Sequence, residues 1–155
     1  MQQLQKMKTA LIGSGMISGI YLKNMKEQFD ILELVGCSDI RPERSKARAE
    51  EFGVRCMTNE EILADPSIEM VVNTTYPTAH FEVSKAALEA GKHVLCEKPL
   101  APTPKQTVEL FEAAKEKGVF LMEAYAYLHS PFVTALKKEI EEGTIGEIRY
   151  IESQF

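Results

Sequence analysis

The chain has few of the features that would place it among metal-binding, secreted or nucleic-acid-binding proteins. Its three cysteines, Cys37, Cys56 and Cys96, are an odd number at wide spacing. There is no C-x-x-C and no Cys/His pair at metal-ligand spacing, so neither a disulfide framework nor a metal site is expected. Positive charge is not in excess: 18 Lys and Arg stand against 23 Asp and Glu, a formal net charge of −5, with a pI near 5.3. This balance gives no electrostatic reason to expect nucleic acid or an anionic membrane as partner. No apolar stretch approaches the length of a membrane span, and there is no repeat, low-complexity tract or flexible linker. Lys6 and Lys8 ahead of the apolar Thr9 to Ile20 region superficially resemble a leader. Gly13, Gly15 and Gly19 interrupt that region, and it lacks a small-x-small cleavage site, so a cytoplasmic chain is expected.

What is present is alternation. At 155 residues the chain is long enough for one domain with a real core and short for two. Short runs rich in Val, Ile and Leu, at Thr9 to Ile12, Leu32 to Cys37, Met70 to Asn73, His93 to Cys96 and Val119 to Met122, read as strands. Val54 to Met57 is a weaker one. Helix patterns lie between them. Met16 to Glu27 follows a glycine turn, Pro42 to Phe52 stops at Gly53, and Asn59 to Leu63 is capped by Thr58 or Asn59. Thr78 to Glu89 stops at Gly91, and a further helix opens at Thr103-Pro104 and ends at Gly118. This order predicts an α/β fold, a doubly wound parallel sheet. After it, Pro131 to Glu142 reads as one more amphipathic helix, and Ile148 to Phe155 alternates apolar and polar like a half-buried strand. The expected division is a first domain over 1–130 and the start of a second, antiparallel-sheet domain over 131–155.

Several residues that can carry chemistry fall at the ends of the predicted strands, where open α/β sheets bind ligands. Gly13-Ser14-Gly15-Met16-Ile17-Ser18-Gly19 joins the first strand to the first helix. Gly13 permits a tight turn, Gly15 lets the backbone approach a pyrophosphate, and the helix start supplies amide donors. Ser18 stands in the third glycine position, where only a small residue is needed. A βα turn without ligand is the alternative. Asp39 ends the second strand about twenty residues on, suited to an adenosine ribose and unfavourable to a 2′-phosphate. It would serve equally as a helix cap before Pro42, and Arg41 is placed to stack on adenine or pair with that phosphate. Thr75, Tyr76 and Pro77 suit contact with a dinucleotide, and His80 suits either ligand contact or an internal hydrogen bond. Glu123, Tyr125 and Tyr127 end the last central strand. Cys96-Glu97-Lys98-Pro99 closes an apolar run and delivers an acid and an amine to the sheet edge.

In this order, Gly13-x-Gly15, Asp39, Thr75-Tyr76-Pro77-x-x-His80, Gly91 through Pro99 and Met122-Glu123-Ala124-Tyr125 resemble the N-terminal domain of the Gfo/Idh/MocA oxidoreductases. Glu142-Gly143-Thr144-Ile145-Gly146-Glu147-Ile148 resembles that family's passage into its second domain. Tyr76 stands where the family often has Pro, and Leu128 where many relatives carry Arg. The resemblance implies a Rossmann fold binding NAD, with NADP as the alternative, through Gly13, Gly15, Met16, Ile17, Asp39, Arg41, Thr75, Tyr76, Pro77, His80, Glu97 and Lys98. It implies hydride transfer to or from a hydroxyl-bearing carbon of a sugar, polyol or diol, with Lys98 assisting proton transfer. Glu97 and a Lys98–Pro99 bond that is often cis would aim the lysine. It also implies a homo-oligomeric full-length form whose second domain supplies the substrate wall. The chain alone is then expected to bind cofactor without turnover. A non-catalytic dinucleotide-sensing or interaction module that retains the fold is the alternative.

Overall fold

The computed structural model describes residues 5–125 and 130–152. Six strands form one sheet in the order β3-β2-β1-β4-β5-β6, all neighbours parallel. They are β1 Met7–Ile12, β2 Leu32–Ser38, β3 Arg55–Cys56, β4 Met70–Asn73, β5 His93–Cys96 and β6 Leu121–Glu123. The helices between them are α1 Ser18–Glu27, α2 Pro42–Phe52, α3 Asn59–Ala64, α4 His80–Glu89 and α5 Pro104–Lys117. This is the doubly wound order, and the direction of winding reverses between β1 and β4.

Strand side chains alternate between two cores. Ala10, Ile12 and Val71 pack with Ile62 of α3, Phe81 and Leu88 of α4 and Leu110 of α5. Leu11 and Val72 point the other way, onto Leu22 and Met25 of α1 and Ala49 of α2. Burial on both faces is why these strands read as continuous apolar runs rather than as polar alternations.

Helix boundaries follow local chemistry. Thr58 and Glu61 exchange side-chain and backbone hydrogen bonds in a capping box that starts α3. Pro42 and Pro104 stand in the first turns of α2 and α5, and Gly53 and Gly118 end them in the left-handed region. Several boundaries shift by one to a few residues from the sequence reading, two of them at turns that adjoin a helix. The Val119 amide bonds to Ala114 O and closes α5, so β6 begins at Leu121. Met16 and Ile17 form a turn, so α1 begins at Ser18. Pro77–Ala79 is a turn of 3-10 helix that leads into α4.

The backbone divides into two compact units, Met1–Ala124 and Tyr125–Phe155. In the second, α6 Pro131–Glu141 carries the ion pairs Lys137–Glu141 and Lys138–Glu142 one turn apart. The strand expected over Ile148 to Phe155 is not formed in its described part, where residues 148–152 have no regular structure and are exposed. A strand needs a partner for its backbone, and none of the described residues provides one. Among the described residues no helix is long and apolar enough to cross a membrane.

Candidate functional site

The residues singled out at strand ends converge on the carboxyl edge of the sheet, around the β1/β4 switch point. Gly13 follows β1 with φ +104°, and a Cβ there would lie 2.5 Å from Thr75 N and 2.6 Å from Thr74 C. Glycine is therefore required by both conformation and space. The turn is tied to its neighbours on either side. Gly13 N donates to Ser38 O at 2.9 Å, Ser14 Oγ donates to the same oxygen at 3.0 Å, and Thr74 Oγ1 donates to Gly13 O at 2.8 Å.

Gly15 differs, because it has no positive φ and a Cβ on it would meet nothing within 4 Å. Neither conformation nor packing within the chain demands glycine there, and a Cβ would fill space above the turn. Ser18 fits the third glycine position by being fully buried, with its hydroxyl donating to Gly15 O at 2.6 Å. The start of α1 has no side-chain cap and no acidic residue in its first turn, so its amides and positive dipole end remain available to an anion. Met16 is 95% exposed beside it, and Ile17 is also exposed.

Asp39 directly follows β2 and is half-buried. It is not the cap of α2, whose N-cap is Arg41 with no side-chain bond. Asp39 Oδ1 accepts the Arg41 amide at 2.8 Å, and Oδ2 accepts nothing from the described residues. The Arg41 side chain is exposed.

After β4 the loop is organised by Asn73, which is fully buried. Its Oδ1 accepts the Thr75 amide at 3.2 Å and Thr75 Oγ1 at 2.7 Å, while its Nδ2 donates to Ser84 Oγ at 2.9 Å and His80 O at 3.1 Å. Tyr76 (67% exposed) and Pro77 are thus presented to solvent at the edge. For His80 the sequence left ligand contact and an internal hydrogen bond both open. The residue is 1% exposed, with Nδ1 2.7 Å from Pro99 O and Nε2 3.1 Å from Thr75 O. Both ring nitrogens face backbone carbonyls, and a neutral imidazole donates one N–H to one of them, so the geometry matches the internal-hydrogen-bond reading.

The loop after β5 is held by three distant side chains. Glu97 Oε1 accepts the Tyr21 hydroxyl at 2.6 Å and its Oε2 accepts the Lys98 amide at 3.0 Å. Glu123 Oε1 accepts the Leu100 amide at 2.8 Å, and His80 reaches Pro99 O. Lys98 is exposed at the edge, and the Lys98–Pro99 peptide is cis. Cys96 does not compete as a nucleophile: it is fully buried, and burial pushes its thiol up to about 11, an effect added to by the carboxylates of Glu123 and Glu97. Among the described residues no group of His, Cys, Asp and Glu is placed to hold a metal ion. Tyr127 and Leu128 lie outside the described residues. Sequence reading missed Asn73 and Tyr21, because their partners are side chains that only the fold brings close.

The arrangement fits a dinucleotide. The open space at Gly15 and the uncapped start of α1 suit a pyrophosphate, Asp39 retains an acceptor for a ribose, and Lys98 stands two strands away at the same edge. Known proteins agree. Residues 7–125 match the profile described as oxidoreductase family, NAD-binding Rossmann fold (GFO_IDH_MocA). The levoglucosan dehydrogenase of Pseudarthrobacter phenanthrenivorans is 40% identical over 113 residues, 72% of this chain and 29% of that protein. The inositol 2-dehydrogenase/D-chiro-inositol 3-dehydrogenase of Lactiplantibacillus plantarum is 31% identical over 144 residues, 90% of this chain and 41% of that protein. Among solved structures, the 3-ketoreductase KijD10 from Actinomadura kijaniata, crystallised with TDP-benzene and NADP, superposes with a TM-score of 0.86 at 31% identity, over 94% of this chain and 46% of that one. GenD2 from gentamicin A biosynthesis, in complex with NAD, gives 0.86 at 26% identity over 94% of this chain and 42% of that one. The chain thus spans less than half the length of these relatives. Within that span, the fold, the glycine turn and the profile match agree that the chain belongs to the Gfo/Idh/MocA oxidoreductases, as their NAD-binding Rossmann domain.

Proposed function

We propose that the chain is the cofactor half of a dehydrogenase that moves hydride between NAD(P) and a hydroxyl-bearing carbon of a sugar, polyol or diol. The observation that carries this reading is the meeting, on one sheet edge, of a glycine turn with unfilled space at Gly15 and a lysine loop fixed from three sides. The relatives named above supply the substrate class by their names.

In this reading the pyrophosphate lies on the backbone of Gly13, Gly15, Met16 and Ile17, and the adenosine ribose on Asp39, which favours NAD over NADP. Arg41 borders the adenine, while Thr75, Tyr76 and Pro77 border the nicotinamide half. The bound dinucleotide supplies the hydride acceptor or donor. Lys98 Nζ hydrogen-bonds the substrate oxygen and shares its proton as the carbon–oxygen bond order changes, and Glu97 acts on Lys98 through the main chain. Residues 1–130 form the cofactor domain, and 131–155 lead into a further one that completes the substrate wall. In the full-length protein, Lys98→Met is expected to lower kcat about 10²–10⁴-fold, the usual worth of acid/base assistance, with cofactor affinity little changed. Turnover that withstands this substitution would remove Lys98 from the chemistry, whereas dinucleotide binding without turnover in the full-length protein would favour a dinucleotide-sensing module.

A further inference from the structure

Tyr21, in the first turn of α1, joins the glycine-turn helix directly to the lysine loop. Its hydroxyl donates to Glu97 Oε1 at 2.6 Å across 76 residues of sequence. The other carboxylate oxygen, Oε2, accepts the Lys98 amide at 3.0 Å, and the Glu97 amide bonds Asn73 O at 2.9 Å. With both oxygens engaged, the carboxylate cannot turn without losing a bond, so its orientation sets the main chain of the next residue. A short O–H···O⁻ bond in a half-buried place belongs to the stronger class of hydrogen bond. Burial, followed by the hydrogen bond and charge of Glu97, raises the Tyr21 phenol well above its ordinary value and keeps it a donor. Three residues earlier on the same helix, Ser18 is fully buried and grips Gly15 O. One turn of α1 therefore spans from the cofactor turn to the carboxylate that holds Lys98.

We propose that Tyr21 is a positioning residue, which orients Glu97 and through it fixes the backbone at Lys98 relative to the glycine turn. The inference rests on the reading of Lys98 as the group that meets the substrate oxygen, but its test does not need turnover. Hydrogen exchange and the amide shift of Lys98 are read by NMR in this chain, in Tyr21→Phe, in Glu97→Ala and in the double variant. Tyr21→Phe keeps the ring and removes only the donor. It is expected to speed exchange at Lys98 about tenfold, the equivalent of one charge-assisted hydrogen bond at the lower end of its range, and to move its amide proton upfield. Amides in the body of α1 should be unaffected. On the Glu97→Ala background the same substitution is expected to add nothing, since the carboxylate through which Tyr21 acts is gone. An unchanged Lys98 amide in Tyr21→Phe, or an equal effect with and without Glu97, would overturn the proposal, because either would mean that Tyr21 merely packs. Undiminished turnover in Lys98→Met would remove the functional reading while leaving the amide coupling in place, so the two failures are distinguishable.

Discussion

The glycine turn and the lysine loop sit at the same edge of one sheet, yet they are built in opposite ways. The turn from Gly13 to Ile17 is shaped by the backbone. A positive φ at Gly13, an approach to the Thr74–Thr75 main chain too close for any Cβ, and an open space at Gly15 are all properties of the backbone. The loop from Glu97 to Leu100 is shaped by side chains that arrive from elsewhere: Tyr21 from α1, His80 from the start of α4 and Glu123 from the end of β6. The first kind of site fails when one atom is added at Gly13. The second kind depends on a network, and loses rigidity in parts.

This contrast predicts a graded response to substitution. The largest effect on stability is expected at Gly13→Ala, where a left-handed backbone and a 2.5 Å contact with a backbone nitrogen combine strain and overpacking, together about 3–5 kcal/mol. Urea denaturation reads this directly, and a loss below about 1 kcal/mol would show that the turn relaxes. His80→Ala comes next. It leaves one of the carbonyls of Pro99 and Thr75 without its buried donor and opens a cavity, for an expected loss of about 2–4 kcal/mol. Proteolysis should then become faster at the Glu97–Leu100 loop, because a clamp has been removed rather than a ligand contact. If His80→Ala instead weakened cofactor binding with stability intact, His80 would belong to the ligand set. The smallest effect is expected at Asp39→Ala, which removes a partly solvated carboxylate and should narrow the preference for NAD over NADP without changing the melting temperature. A wild-type chain that already prefers NADP would show that Arg41 outweighs Asp39.

The same contrast explains what was legible in the sequence. The parallel α/β fold was readable because the central strands β1, β4 and β5 are largely buried and the helices are punctuated by Pro, Thr or Gly within a few residues, all local signals. Pro42–Phe52, Met70–Asn73 and His93–Cys96 match the sequence reading residue for residue. The glycine turn and Asp39 were visible for the same reason, and the structure placed Asp39 beside the turn through the bonds of Ser38 to Gly13 and Ser14. The roles of Asn73 and Tyr21 were not visible, and His80 was left between two readings. A histidine after Pro77 reads the same whether it faces a ligand or a carbonyl, and Tyr21 has no meaning until the fold brings it to Glu97 in the loop after β5. The expected strand from Ile148 failed for a related reason: alternation marks a surface suited to pairing, but does not supply the partner.

The claim that the open space at Gly15 is a cofactor seat is tested most directly by titrating NADH into the wild-type chain and Gly15→Ala by calorimetry, with melting temperature as the control for fold. A Cβ at Gly15 meets nothing within 4 Å among the described residues beyond its chain neighbours, so stability should change by less than about 1 kcal/mol, while affinity for the dinucleotide should fall by tenfold or more. Absence of binding by the wild type at millimolar cofactor, or equal affinity in the two chains, would contradict the account.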